Sequence, residues 1–148
     1  MPDPLTCEPV HPAAILVIRY RSLIRQASHG AGLYALLVGV ATFWGGDQRM
    51  MGPSYITSSD VAESMGASPS VLWGVSAMLV GALALLPHRK VSLCGLYGVV
   101  AWSVVFGLSF LVSVNTEPLA GVSGVFGHGF IAVMVTGLIV VRIVDPRV

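Results

Sequence analysis

Long apolar runs, parted by compact polar groups, set the pattern of this chain. Four such runs fall at about residues 30–46, 70–86, 91–114 and 119–141. A hydrocarbon core about 30 Å thick takes roughly 17–25 helical residues to cross, so each run is long enough or nearly so. None of the four contains a Lys, Arg, Asp or Glu. Hydrocarbon offers bare peptide groups no hydrogen-bond partner, so runs of this kind must be helices. The predicted fold class is all-α, a four-transmembrane-helix bundle preceded by an amphipathic interfacial helix. The first run is the shortest, and Gly45-Gly46-Asp47 is expected to end it. Pro87 stops the second, and Asn115-Thr116-Glu117-Pro118 separates the third from the fourth.

Ahead of the first run the periodicity differs. Over residues 13–28, Leu16, Val17, Tyr20, Leu23 and Ile24 share one helical face, while Arg19, Arg21, Ser22, Arg25 and Gln26 lie mostly opposite. A basic amphipathic helix of this kind is suited to lie against anionic headgroups. An extension of the first span fits the same residues equally well. Proline at positions 2, 4, 9 and 12 predicts an extended tail over residues 1–12, leaving 13–148 as a single membrane domain. The longest polar segment, 47–69, holds Asp60 and Glu63 three residues apart. That spacing resembles a capping box and predicts a short helix starting at Asp60 and ending at Met65-Gly66.

Charge fixes an orientation. Arg19, Arg21, Arg25, Arg89, Lys90, Arg142 and Arg147 fall on one side of the four spans, and Arg49 alone on the other. Basic residues are retained in the cytoplasm, so both termini are expected there, in the cytoplasmic (inner) membrane. Arg19, Arg21, Arg25, Arg89 and Lys90 then become lipid-interface residues, with membrane lipids as partners. The first 12 residues lack a basic region followed by an apolar one, so no cleaved signal is expected. Only 10% of residues are charged and the net charge is +1, which leaves no basic field for nucleic acid. Lys90 and Asn115 are the sole Lys and Asn beside 17 Gly, a bias expected of a GC-rich bacterial or phage genome.

Lipid tails are as apolar as leucine, so spans associate by close packing and not by hydrophobic exclusion. Small residues spaced to let backbones meet recur in every span. They are Ala35 and Gly39 in the first, and Ala77 and Gly81 in the second. Gly98, Ser103 and Gly107 follow in the third, then Gly124 and Gly127 in the fourth. These faces serve either the interior of one bundle or contacts between copies.

Candidate chemistry is sparse. Asp47, Asp60, Glu63 and Glu117 are spread through loops, and Cys7 and Cys94 are too few for a disulfide framework. No nucleophile elbow, phosphate loop or metal-spaced cluster is present, so no catalytic site, metal or cofactor is expected and the chain reads as a non-enzyme. His128, between Gly127 and Gly129, is the one imidazole placed in mid-span. An ionisable group there is a functional hypothesis by default. The plainer reading is a neutral His bonded to Ser103, Ser109 or Tyr97.

Several features carry a family resemblance: Phe43-Trp44-Gly45-Gly46 closing the first span, Gly52-Pro53 in the loop, Ser68-Pro69-Ser70-Val71-Leu72-Trp73-Gly74 opening the second, and His88-Arg89-Lys90 between the second and third. In this layout the chain resembles the small four-pass membrane proteins of actinobacterial phages, often encoded near lysis genes. The resemblance implies a holin-like or accessory lysis protein that oligomerises in the cytoplasmic membrane. Two other classes compete with it. One is a non-enzymatic partner of another membrane protein, such as a phage exclusion or defence component. The other is a small transporter or channel using His128.

Overall fold

The computed structural model describes residues 12–50, 52, 55–115, 118–145 and 147. All regular structure among them is helical: α1 (Pro12–Met50), α2 (Ile56–Ser64), α3 (Pro69–Leu85), α4 (Arg89–Ser113) and α5 (Pro118–Val144). Three of these, α1, α4 and α5, are long and apolar enough to cross a membrane. The expected tail over residues 1–12, with Cys7, lies outside the described residues except for Pro12, which opens α1.

The separate interfacial helix expected at 13–28 is instead continuous with the first apolar run. No proline falls between Pro12 and Pro53, and Ser28 donates its hydroxyl to the carbonyl of Ile24, absorbing its polar group within the helix. At 1.5 Å per residue, the stretch from Pro12 to Gly45 is about 50 Å long, well beyond a hydrocarbon core. Ile15, Leu16, Ile18 and Leu23 are exposed on it. The helix breaks at Gly46, whose φ of 66° and ψ of −179° suit a residue without Cβ. Asp47–Met50 follows as a short turn.

Beyond that break, the Asp47 carboxylate closes the start of α3. Its Oδ1 accepts bonds from the Ser70 backbone N–H at 2.9 Å, the Ser70 hydroxyl at 2.7 Å and the Ser68 hydroxyl at 2.6 Å. A carboxylate at a helix N-terminus satisfies orphan amides and complements the helix dipole. The capping box expected at Asp60 is absent: α2 begins four residues earlier, after Tyr55, and Asp60 lies in its interior. Its end is as the sequence predicts, with Gly66 at φ 70° beyond Met65. A bend of 100° turns α2 away from α3, so the short helix lies across the end of the bundle. Its own Ser58 and Ala62 are buried, and Trp73 Nε1 donates to the Ser58 carbonyl at 2.7 Å.

Helices α1, α3, α4 and α5 form an up-down bundle in which each packs against the next. The chain satisfies this order with glycines. A Cβ on Gly39 would lie 2.6 Å from the Met78 backbone nitrogen, and one on Gly81 2.6 Å from that of Leu36. Across the α3–α4 hairpin, a Cβ on Gly95 would lie 2.2 Å from the Ala84 nitrogen. Between α4 and α5, Gly121 comes against the backbone of Val114, and Gly124 against the ring of Phe110. Two apolar clusters fill the interior. One joins Ala35, Ala84, Leu96, Val99, Val135 and Ile139; the other joins Met50, Ala77, Trp102 and Phe106.

Candidate functional site

His128 occupies an aromatic pocket formed by three residues of one α4 face. Trp102, Phe106 and Phe110 recur every four residues, which stacks them along the helix toward α5. Their ring centroids lie 5.6, 5.9 and 5.5 Å from the imidazole, with Phe110 nearly parallel to it at 24°. Tyr55 and Trp73 extend the cluster by edge contacts to Phe106 at 6.1 and 5.4 Å. The hydrogen bonds expected from Ser103, Ser109 or Tyr97 do not form: His128 Nδ1 is buried without a partner. Ser109 instead bonds the Val105 carbonyl, Tyr97 is exposed, and the buried Ser103 hydroxyl is itself unpartnered. A shallow cleft of about 290 Å³ between α1 and α5 reaches the ring, lined by Tyr34, Ser123, Gly127 and His128 among others. Such an imidazole can take up and release one proton. No cluster of His, Cys, Asp or Glu able to hold a metal occurs among the described residues.

A second polar site closes the opposite end of the bundle, where Arg25, Ser28 and His29 of α1 face the α3–α4 turn and the end of α5. Together with Leu86, Pro87, Arg89, Ser92, Arg142 and Arg147 they line a cavity of about 400 Å³. Arg142 is only 9% exposed. Its Nη1 donates to the Ser92 hydroxyl at 2.9 Å, and that hydroxyl donates to the Ala84 carbonyl at 2.7 Å. Arg89 in turn donates to the Arg142 carbonyl.

The residues singled out in the sequence divide between these sites and the helix seams. Of the lipid-interface set, Arg25 and Arg89 line the basic cavity, Arg21 pairs with Asp145 at 3.6 Å, and Arg19 and Lys90 are exposed. Ala35, Gly39, Ala77, Gly81 and Ser103 are buried. A Cβ on Gly98 would meet the Val80 side chain, and one on Gly107 would stand at an ordinary 3.5 Å from the His128 Cβ. Gly127 differs from these, since nothing lies within 4 Å of where its Cβ would be. The sequence reading missed Arg142, placed at the polar end of its span. It also missed Gly32, Gly74 and Gly95, each of which makes a close backbone approach. Glycine recurring at seven-residue intervals, as at 32 and 39 or 74 and 81, was the available signal.

No family model, curated protein or solved structure matches this chain.

Proposed function

We propose that the chain is a four-pass protein of the cytoplasmic membrane, with both termini in the cytoplasm, that works by self-assembly as a holin-like or accessory lysis protein. In this topology α3 is the additional span. Its 17 residues give about 26 Å of helix, close to the thickness of a hydrocarbon core. The strong bias of Lys and Arg to one side supports the orientation.

The observation that carries self-assembly is the uncovered surface of α5. Only 11% of its span window is buried, against 39% for α4. On that surface Gly127, Gly129 and Gly137 have nothing within 4 Å of a Cβ position, and Ser123 and Thr136 are exposed beside them. Glycines that merely face lipid gain nothing from lacking a side chain and cost about 1 kcal/mol each in helix propensity. Glycines that let a second backbone approach recover that cost through packing. Elsewhere the glycines of the long helices are packed inside the bundle, save those at the two ends of the apolar run of α1, Gly30 and Gly46 among them, which leaves α5 as the contact for another copy.

Induced expression should depolarise the membrane and halt growth abruptly, and a co-expressed endolysin should then lyse the cells. Gly129→Leu should abolish the arrest without lowering the stability of the isolated chain, because no neighbour is displaced. Cells that keep their membrane potential while the protein accumulates would remove the lysis reading. Stable pairing of α5 with a different membrane protein would then favour an exclusion or defence component. The unpartnered His128 and its lateral cleft support a second reading, a small channel or transporter. There, conductance should depend on pH and lose that dependence in His128→Ala, whereas a large lesion made by many copies needs no titrating group.

A further inference from the structure

We propose that the basic cavity is a phosphate site. Four arginines, Arg25, Arg89, Arg142 and Arg147, line it, and no carboxylate of the described residues does. Arg142 is nine-tenths buried, and its Nε and that of Arg89 have no hydrogen-bond partner. The acceptors that do reach these side chains are neutral: the Ser92 hydroxyl and the Arg142 carbonyl. The carboxylate adjoining the site, Asp145, is taken by Arg21 and by the backbone N–H of Arg147. A guanidinium withdrawn from water without a counter-charge is strongly disfavoured, so the folded chain gains from an anion here.

A further feature points the same way. Arg89 is the first residue of α4, and its N-cap His88 makes no side-chain cap bond. A cation at a helix N-terminus opposes the dipole, whereas an anion beside it is favoured. Phosphate suits the cavity better than a carboxylate. Its oxygens can accept paired N–H bonds from several guanidinium forks at once, and it carries charge enough for more than one. The cavity is large enough for a phosphate with its ester linkage and bound water. It also lies where the apolar part of α1 gives way to Arg25 and His29, the depth of lipid headgroups in the topology proposed above. The phosphate can come from an anionic phospholipid or from solution. The inference does not depend on the lysis reading, since any function of this bundle leaves the same buried arginine to be neutralised.

The test uses the full chain in phosphatidylcholine nanodiscs. One arm adds phosphatidylglycerol. The other adds inorganic phosphate, with chloride at matched ionic strength as the reference. Binding is read from bound phospholipid by native mass spectrometry and from the shift in the unfolding midpoint. Phosphatidylglycerol should be retained and should raise the midpoint. Arg142→Gln should weaken binding about tenfold or more, the change expected from losing a charge-assisted hydrogen bond. Arg25→Gln and Arg147→Gln, at more exposed positions, should weaken it as well and keep the test sound if Arg142→Gln does not fold. Gln48→Ala, exposed at the other end of α1, should leave it unchanged. Stabilisation by inorganic phosphate, lost in the same variants, would identify free phosphate as the source. Variants that bind both probes as the unsubstituted chain does, or an unsubstituted chain that binds neither, would overturn the proposal.

Discussion

Adding one methyl group at Gly81 tests the packing that joins α1 to α3. The new Cβ would stand 2.6 Å from the Leu36 nitrogen and 2.7 Å from the Gly32 carbonyl oxygen. Both are backbone atoms, so no rotamer change can relieve the contact. Favourable contacts between such atoms begin near 3.5 Å, so the two helices would have to part by roughly 1 Å. Separation on that scale forfeits a quarter to a half of the dispersion energy of each pair along the seam. Overpacking in cores costs about 1–3 kcal/mol, and the upper part of that range applies where backbone meets backbone. Alanine returns about 1 kcal/mol through its better helix propensity. Gly81→Ala should therefore lose about 1–2 kcal/mol, the net of these two effects. Gly137→Ala serves as the reference, because nothing lies within 4 Å of its Cβ position. It should be neutral or stabilised by up to about 1 kcal/mol. Equilibrium unfolding in mixed dodecyl sulfate micelles, followed by tryptophan fluorescence, measures both. A Gly81→Ala protein as stable as the Gly137→Ala protein would mean that the α1–α3 seam is looser than described.

Other outcomes follow from the same geometry. Asp47→Ala removes the acceptor of three bonds at the start of α3, so amide exchange at Ser70 should accelerate while that at Gly81, deep in the helix, does not. Topology reporters placed after Val148 or within His88-Arg89-Lys90 should read cytoplasmic, and one at Ser58 external; a cytoplasmic signal at Ser58 would end the four-pass topology. Trp73→Phe keeps the edge contact with Phe106 but removes the indole N–H bond to the Ser58 carbonyl, at a cost of about 1 kcal/mol in the same unfolding assay.

The helical content was legible because the apolar runs are long and free of charge, and both Pro87 and Pro118 mark real boundaries of the helices. Two local readings went astray for opposite reasons. Asp60 and Glu63 have the spacing of a capping box, but the burial of Ser58 and Ala62 against the bundle end draws α2 four residues toward the N-terminus. Asp47 looked like a mere loop charge, yet it caps a helix that begins 22 residues later, a pairing no local pattern encodes. Small-residue spacing found the seams at Gly39, Gly81 and Gly98, but it does not say which faces meet. Gly124 meets the Phe110 ring while Gly127, three residues on and only about 60° around the helix, meets nothing, so the edge of the α4 contact falls between them. Arg142 sits at the last turn of a span, where arginines usually reach outward to water. The bond to Ser92, 50 residues away, turns it inward.

The last consequence concerns α5. Its contacts run chiefly to α4, with few to α1 and none of the close glycine approaches crossing the α1–α5 seam. Both the His128 cleft and the arginine cavity open along that seam. In water, deleting α5 would expose Leu96 and Val99 at about 25 cal/mol for each Å² uncovered. In a bilayer those side chains meet lipid tails instead, which are as apolar as the residues they replace. The seams of α1 with α3 and of α3 with α4 contain the close backbone approaches apart from that at Gly121, and they remain intact. A chain ending at Asn115 should thus still unfold cooperatively in mixed micelles, and Gly81→Ala should destabilise it by the same increment as the full chain. It should also lose any self-association carried by Gly127, Gly129 and Gly137. A truncated chain with no cooperative transition would show that α5 is required for the other helices to assemble. The open surface of α5 would then be incidental to a single interdependent bundle.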